Sequence, residues 1–482
     1  MAGVKDTLLG KLRSGAPMSG GEQFRLTQLL AFPAILAQLS MCLMSLIDAA
    51  MVGRLGSAPA AAIGLVSTTT WIFGSFCYAD ASGFSVQIAH RCGARDYAGA
   101  RRIFRYGLYT VVAVSLLLAL AGVAIHKALP GWLGGSSEIL HDASDYFLIY
   151  ALFLPMMQVA VFSEASLIAS GDMKVPSLVS LAMCVLDVVF NYLFIFALDL
   201  GVKGAALGTG LATACAGVFL LVHASRRSEE LRQTGSWYVP PRRVPEALRA
   251  WRAEWRRTGR TGAEEGNIFR RAFGICWPLW LQNLVTRGAY IAATMLVAPL
   301  GTIAIAANSF AIIAEGFCYL PGYGMQDAAT SLIGQSLGAR RPGTARRFAW
   351  ITIGSGTAMM AALAVLMWGF APQVMGMLSR DPAVIGLGAQ CLRIEAWAEP
   401  LYAVSIVAYG CCVGAGDTLV PSLINLLSMW IVRLGLAVFL IPHYGLAGYW
   451  VAMAAELSFK GLLFLVRIAR GRWMKTRLAG CS

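Results

Sequence analysis

Charged residues are scarce in this 482-residue chain. Lys, Arg, Asp and Glu together make up 13% of the sequence, about half of the roughly 25% that is usual in soluble domains. Hydrophobic residues account for 57%, and a water-soluble fold would lack the polar residues to cover them. The shortage of charge therefore excludes an ordinary soluble protein and favours a chain that folds in a lipid bilayer.

The cysteines and histidines do not show the spacings that are typical of structural metal sites or disulfide frameworks. The 11 cysteines lie mostly inside apolar runs, and no Cys-x-x-Cys or Cys/His ligand spacing is present. We interpret the cysteines as small hydrophobic residues. The sequence shows no His/Asp pattern of a metal site among its five histidines and no Ser/His pattern of a nucleophilic catalyst. It also contains no phosphate-binding loop motif. The sequence thus predicts neither an enzyme nor a cofactor, and no metal beyond a coupling ion.

Long apolar runs are abundant in the chain. They are continuous and do not alternate with a period of two, which indicates helices, because a helix satisfies its own backbone hydrogen bonds in lipid. The sequence therefore predicts an all-α integral membrane protein. We predict twelve transmembrane helices, near residues 27–53, 59–88, 103–125, 143–170, 175–198, 202–224, 269–298, 302–333, 347–377, 384–413, 418–441 and 445–466.

Basic residues are distributed unevenly between the two sides of the predicted bundle. With the N-terminus in the cytoplasm, 31 Lys and Arg residues fall on the cytoplasmic side and 4 on the other. Because basic connections stay in the cytoplasm, we expect a multi-pass inner-membrane protein with both termini cytoplasmic. The net charge of +14 is then an orientation signal, and we expect no nucleic-acid partner. The predicted organisation is a cytoplasmic tail, an N-lobe, a basic cytoplasmic linker, a C-lobe and a second cytoplasmic tail, at 1–26, 27–224, 225–268, 269–466 and 467–482.

The linker contains the longest polar stretch of the sequence. Its run from Pro245 to Arg257 is typical of a basic amphipathic helix, with Trp251 and Trp255 one turn apart. We expect this helix to lie on anionic lipid headgroups. A regulatory or partner-binding site is the alternative.

The two halves of the sequence repeat each other at a shift of 245 residues. Each repeat contains six spans, so both copies enter the membrane in the same direction. We therefore expect two six-helix lobes related by a pseudo-two-fold axis along the membrane normal, which is an architecture typical of secondary transporters. The aligned pairs include Pro33/Pro278, Gly56/Gly301, Gly93-Ala94-Arg95/Gly338-Ala339-Arg340, Pro155/Pro400 and Gly171-Asp172/Gly416-Asp417.

Several motifs, taken together in their order and duplication, resemble the multidrug and toxic compound extrusion (MATE) family over residues 24–473. They are the run from Asp48 to Gly56, the run from Ile333 to Ala339, the paired Gly-Asp-x-x-Val-Pro segments, and the run from Gly445 to Trp450. The resemblance implies an antiporter that expels small amphipathic or cationic organic compounds by alternating access, driven by an inward H⁺ or Na⁺ gradient. We expect a monomer whose other partners are membrane lipids.

Acidic residues inside the predicted spans cost free energy to place in lipid, so we expect each of them to have a functional or structural role. Asp48 and Asp187 align with Ala293 and Val432 in the other half, so these two acids belong to the N-lobe alone. Nine acids lie within the spans: Asp48, Asp80, Glu164, Asp187, Glu315, Asp327, Glu395, Glu399 and Glu456.

The resemblance implies a cation-coupling role for Asp48, which precedes the Met-Val-Gly segment. Asp187 and Asn191, one helical turn apart, are expected to assist, although the family often shows Asn before Asp at this spacing. A Glu that many members carry in span 7 is replaced here by Thr286. We therefore favour H⁺ over Na⁺ as the coupling ion, and a Na⁺ ion at Asp48 and Asp187 remains the alternative.

The remaining ionisable residues have secondary roles in this prediction. Glu456 and Lys460 are expected to pair at i,i+4, Arg287 and Arg433 to neutralise acids across helices, and Asp80, Asp327 and Glu399 to cap or pair near helix ends or breaks. Pro33 is a candidate hinge or fixed kink in span 1, because its ring removes an internal hydrogen bond. Candidates for an additional cation or substrate site are Glu164, Glu315, Asp327 and Glu395.

Other functions compete with efflux. A flippase for lipid-linked precursors shares this architecture, but it would favour a large cationic cleft. An ion channel would need a continuous pore, which a two-lobed repeat does not suggest.

Overall fold

The computed structural model describes residues 2–233 and 262–474, which are helical almost throughout and contain no strand. The predicted linker helix at 245–257 lies outside these residues. Fifteen α-helices follow one another in this described part of the chain: α1 Ala2–Ser14, α2 Gly20–Gly53, α3 Ser57–Gly93, α4 Tyr97–Ile125, α5 Leu129–Trp132, α6 Leu140–Ala169, α7 Lys174–Asn191, α8 Gly201–Arg226, α9 Gly262–Val297, α10 Thr302–Gly338, α11 Pro342–Leu378, α12 Pro382–Ala396, α13 Glu399–Gly414, α14 Leu419–Leu427 and α15 Leu434–Arg470.

Twelve spans are formed by these helices. Within the described residues, nine helical segments are individually long and apolar enough to cross a membrane, and α12 with α13 adds a tenth span that is bent by 59°. One of the nine, Leu419–Arg470, is 52 residues long and holds two spans, because Gly445 breaks its helical backbone at φ 56°. Helix α9, 36 residues long, completes the set. The predicted fold, an all-helical membrane protein of twelve helices in two lobes, is confirmed.

Each lobe has its own apolar core. In the N-lobe, Phe84, Phe104 and Phe162 are buried together, with Phe104 stacked on Phe162 at a centroid separation of 5.3 Å. In the C-lobe, Trp450 is fully buried among small residues, and its indole donates a hydrogen bond to Asn308 Oδ1 at 3.0 Å. Two independently packed lobes can move against each other as rigid units.

A third apolar cluster joins the lobes at one end of the bundle. It combines Met173, between α6 and α7, with Leu337 on α10 and Phe348 on α11. The arginine-bearing connections at 94–96 and 339–341 lie at this end, which we call the basic end. Helix α1 also lies here, although the sequence suggested only a polar tail before residue 27.

The lobes make direct main-chain contact at the basic end. A Cβ atom at Gly93 would overlap the backbone of Gln335, and one at Gly338 would overlap the backbone of His90. Around these contacts, His90 Nε2 lies 2.9 Å from the Gly414 carbonyl. We call the contacts of Gly93 and Gly338 the basic-end seal.

Hydrogen bonds between the lobes extend only as far as the middle of the spans. Asn283 Nδ2 donates to the Ser75 carbonyl at 3.2 Å, and Trp280 Nε1 donates to the Phe76 carbonyl at 3.3 Å. Closer to the opposite end, the part of the chain described by the structure has no hydrogen bond between the lobes. The cleft between the lobes is therefore closed at the basic end, and at the opposite end no hydrogen bond among the described residues closes it.

Candidate cation site and central cavity

Asp48, Asp187 and Asn191 meet inside the N-lobe. Asn191 Nδ2 donates hydrogen bonds to Asp48 Oδ1 at 2.9 Å and to Asp187 Oδ2 at 3.0 Å. Asp187 and Asn191 are buried, and Asp48 is half-buried. Two carboxylates thus share a single amide donor, in the half of the membrane that faces away from the basic end.

Local backbone features hold this group in place. Asn191 is the last residue of α7, and a π-helical turn at Tyr192–Ala197 follows it directly. Gly208 on α8 leaves the space that the Asn191 side chain occupies, because a Cβ there would overlap Asn191 Oδ1. The order of Asp and Asn along α7 matters little to the contact, since residues four apart lie on the same face of a helix.

The group retains free acceptor capacity. Asp187 Oδ1 and Asn191 Oδ1 are buried and have no hydrogen-bond partner among the described residues. Two carboxylates in contact inside a membrane repel each other unless a proton or a cation lies between them. The arrangement can therefore take up one positive charge, either as H⁺ on a carboxylate or as a small cation held by these oxygens.

Helix α2 links this site to the centre of the molecule. It runs unbroken from Gly20 to Gly53 with Pro33 inside it, and it carries Asp48 near one end. On the same helix, Gln38 Nε2 donates to Asp327 Oδ2 of the C-lobe at 3.4 Å. A change at Asp48 can therefore be transmitted along one helix to the contact between the lobes.

A cavity of about 510 Å³ lies between the lobes. Its walls include Glu164 and Asp327, two of the predicted additional acids, together with five tyrosines. Carboxylates beside aromatic faces suit an organic cation, which the rings attract through their π-electrons. The tyrosines are Tyr78, Tyr290, Tyr323, Tyr402 and Tyr409.

Positions related by the sequence repeat line this cavity in pairs. Tyr78 and Tyr323 stand 245 residues apart, and both line it; Gln38 and Asn283 do the same. At other pairs one lobe supplies an acid where its counterpart supplies a neutral side chain: Ser82/Asp327 and Tyr409/Glu164. The cavity therefore lies on the pseudo-two-fold axis, and its acids are the places where the two halves differ.

Three glutamates form a second acidic group, inside the C-lobe. Glu315, Glu395 and Glu399 are buried, and each offers a carboxylate oxygen within 4.8 Å of the others. No oxygen of Glu395 or Glu399 has a hydrogen-bond partner among the described residues. Glu399 lies in the first turn of α13, but the predicted capping or pairing role is wrong, because its carboxylate joins the two candidate acids instead.

The basic residues in the spans have distinct partners. Arg433 Nη2 lies 2.7 Å from Glu456 Oε2, and Lys460 Nζ lies 3.4 Å from Glu456 Oε1, so the predicted pairs are confirmed. Arg287, by contrast, places its guanidinium 5.0 Å from the ring centre of Trp71, and it forms no ion pair with any acid among the described residues. The prediction that Arg287 neutralises an acid is wrong, because an aromatic ring of the other lobe accommodates its charge.

A two-lobed, twelve-helix membrane protein with buried acids and a cavity on its axis is a transporter by architecture. The MatE family model matches residues 33–193 and 278–439, one segment in each lobe. The chain therefore belongs to the MatE family, and the resemblance drawn from its motifs is confirmed.

Curated relatives and solved structures agree with this assignment. The chain is 29% identical to the probable multidrug resistance protein NorM of Pseudomonas aeruginosa over 89% of this chain and 86% of the relative. It is 26% identical to the probable NorM of Thermotoga maritima over 92% of both chains. A crystal structure of a mutant of the Vibrio cholerae MATE transporter VcmN superimposes with a TM-score of 0.85 at 18% identity, covering 95% of this chain and 99% of that one.

Proposed function

We propose that this protein is a cation-coupled multidrug efflux antiporter of the inner membrane that works by alternating access. The observation that carries the proposal is the combination of a shared acidic cavity on the axis with a separate carboxylate pair in the N-lobe. Its curated relatives are called probable multidrug resistance proteins. The cavity, at about 510 Å³, has the volume of a site for a drug-sized molecule.

The basic end faces the cytoplasm in this proposal, because positively charged connections are retained there. Both termini are then cytoplasmic, and the closed seal makes the described conformation outward-facing. We take the functional unit to be a monomer in contact with lipid, and its cargo to be small amphipathic or cationic organic compounds.

Asp48 is the proposed coupling residue, with Asp187 and Asn191 supporting it. In the outward-facing state an ion enters from outside and neutralises one carboxylate, which relieves the repulsion within the pair. Helix α2 carries the resulting movement to the Gln38–Asp327 contact and the cavity, and then on to the candidate hinge at Pro33. Substrate is released, the lobes reorient, and the ion leaves to the cytoplasm.

H⁺ is favoured over Na⁺ because the Glu that many family members carry in span 7 is replaced here by Thr286. Na⁺ is the alternative, since the oxygens of Asp48, Asp187 and Asn191 can also ligate a hard cation. Glu315 and Glu395 are proposed as an additional cation site in the C-lobe, and Glu164 and Asp327 as the acids that meet a cationic substrate.

An efflux assay on Asp48→Asn tests the coupling role. The substitution keeps an oxygen that accepts from Asn191 but removes the titratable charge, so drug efflux should collapse while the protein still reaches the membrane. Asp80→Asn is the matched control, since Asp80 is a buried span acid whose carboxylate accepts a bond from Gln158 at 3.5 Å, outside the proposed site. Normal drug resistance in cells carrying Asp48→Asn would refute the assignment.

The coupling ion is decided by vesicle transport with a panel of cationic dyes. An imposed pH gradient without sodium should drive dye movement, and a sodium gradient at equal pH should not. An absolute sodium requirement would overturn the preference for H⁺. The flippase alternative is less favoured, because the three acids that line the cavity, Glu164, Asp327 and Glu456, outnumber Arg433 and Lys460, whereas an anionic lipid carrier would need a cationic cleft.

A further inference from the structure

The N-terminal helix α1 lies across the seam between the lobes at the basic end. Leu8, Leu9 and Leu12 are buried, with exposures of 5%, 4% and 0%. They pack in the apolar cluster that contains Met173 of the N-lobe and Leu337 of the C-lobe. A helix that buries three leucines against both lobes is part of the folded molecule rather than a solvated tail.

Polar contacts of α1 and the turn after it also reach both lobes. Lys5 Nζ donates to the carbonyl of Gly171, which is in the N-lobe, at 3.5 Å. Arg341 of the C-lobe donates to the Ala16 carbonyl at 3.0 Å. The segment is thus tied on each side of the seam.

Arg13 makes the most direct connection. Its side chain is 8% exposed, its Nη2 donates to the Ser170 carbonyl of the N-lobe at 2.6 Å, and its Nε donates to Gln335 Oε1 of the C-lobe at 3.0 Å. Glu230 Oε1 accepts from its Nη1 at 2.8 Å, which balances the charge. One guanidinium therefore joins the two lobes with charge-assisted hydrogen bonds.

Gln335 is held in a bridging orientation by this arginine. While its Oε1 accepts from Arg13, its Nε2 donates to the Ala169 carbonyl of the N-lobe at 3.0 Å. The backbone of the same residue meets Gly93 in the basic-end seal. Arg13 therefore fixes the amide that crosses the seal.

Inward opening cannot preserve these contacts. Separation of Gly93 from Gln335 moves the ends of α6 and α10 apart, so Arg13 can follow Ser170 or Gln335 but not both. We propose that α1 is a latch on the basic-end seal and that Arg13 is the positioning residue that holds the outward-facing state. The inference rests on the alternating access of the proposed function.

The test measures opening of the seal directly. Ser85, which lines the cavity on the side of the seal away from the cytoplasm, is replaced by Cys, and the native chain supplies the labelling background. A membrane-impermeant maleimide is added to inside-out vesicles, so that it reaches residue 85 only when the basic end opens. Arg13→Ala should accelerate this labelling about tenfold, as expected for the loss of charge-assisted bonds across the seal.

Two further variants make the result specific. Arg13→Lys keeps the charge and much of the packing but not the forked donor geometry, so its labelling rate should fall between those of Arg13→Ala and the parent. Arg25→Ala removes an exposed arginine of α2 and should leave the rate unchanged. Thermal unfolding by size exclusion checks that each variant is folded; should Arg13→Ala fail this check, Arg13→Lys carries the test.

The outcomes separate the latch from the function on which it rests. If folded Arg13→Ala and Arg13→Lys label at the parent rate, the latch is refuted while alternating access stands. If Ser85→Cys is never labelled from the cytoplasmic side, even with a substrate dye and an ion gradient, the alternating-access proposal itself is refuted. Faster labelling in Arg25→Ala as well would reduce the effect to a general loss of surface charge and overturn the role of Arg13.

Discussion

Adding one methyl group at the basic-end seal should shift the protein towards its inward-open state. In Gly93→Ala the new Cβ would overlap the backbone of Gln335, which cannot turn aside as a flexible side chain would. Overpacking of this kind costs about 1–3 kcal/mol. Only the closed seal bears that cost, because separation of α3 and α10 gives the methyl group room.

The magnitude follows from the two-state equilibrium. A differential cost of about 1–3 kcal/mol corresponds to a shift of about 5–150-fold in the ratio of open to closed seals. Gly338→Ala should act in the same direction, since its Cβ would overlap the backbone of His90. Neither glycine has a positive φ, so alanine adds no backbone strain.

Labelling of Ser85→Cys from the cytoplasmic side measures this shift. The rate should rise in Gly93→Ala and Gly338→Ala by a factor within the range above. Gly354→Ala is the control, because a Cβ at that position on α11 meets no other atom within 4 Å, and its rate should match the parent. Parent-like labelling in both seal variants, with unchanged thermal unfolding, would refute the reasoning that the seal is the closed cytoplasmic gate.

Three further outcomes are expected. Gly208→Ala should weaken proton-driven dye transport without changing any charge, because its Cβ displaces the Asn191 amide that joins Asp48 to Asp187; unaltered transport would remove Asn191 from the proposed site. Arg433→Met should lower the free energy of unfolding by about 1.5–3 kcal/mol, the size of a lost hydrogen bond to a charged group, because Lys460 still balances the Glu456 charge; a thermal midpoint equal to that of the parent would contradict the pair. Hydrogen bonds from Lys11 and from the Ser19 backbone lower the pKa of Glu22. The stability that this carboxylate contributes is therefore present above its unfolded-state pKa and is lost as pH falls through its folded-state pKa. Lys11→Gln should reduce this acid-induced loss of stability in thermal unfolding measured over a pH series, and a pH dependence identical to that of the parent would contradict the reasoning.

Much of the architecture follows from local properties of the sequence. Hydrophobic runs determine the spans, and the Pro33/Pro278 register reveals the repeat, because both properties are read residue by residue. The pairing of Asp187 with Asn191 can also be predicted locally, since residues four apart lie on one face of a helix. That Asp48 meets them was implied only by the family resemblance.

What sequence reasoning missed depends on contacts between distant segments. Lys5, Lys11 and Arg13 surround the leucines of helix α1 and give this segment the sequence pattern of a solvated tail. Only the packed lobes reveal the apolar groove that buries the leucines. The repeat predicts a central cleft, and Glu164 and Asp327 are among the candidate substrate acids, but their meeting in one cavity is not predicted. Comparing the halves contained a signal: Asp327 stands where the N-lobe has Ser82, and Glu164 where the C-lobe has Tyr409. Arg287 was assigned an acid as its partner because nothing along the chain marks Trp71 as its neighbour.

The carboxylate pair at Asp48 and Asp187 lies away from the cavity, whose walls begin on the same helix at Gln38. In the proposed mechanism, an ion at Asp48 and Asp187 and a drug in the cavity have no oxygen ligand in common, so the drug would lower ion occupancy by changing the conformation of α2 and not by competing for the ion site. Substitutions in the cavity walls would then alter which compounds are transported without affecting ion coupling. The substrate range of such a transporter could widen during evolution while its energy source stays the same.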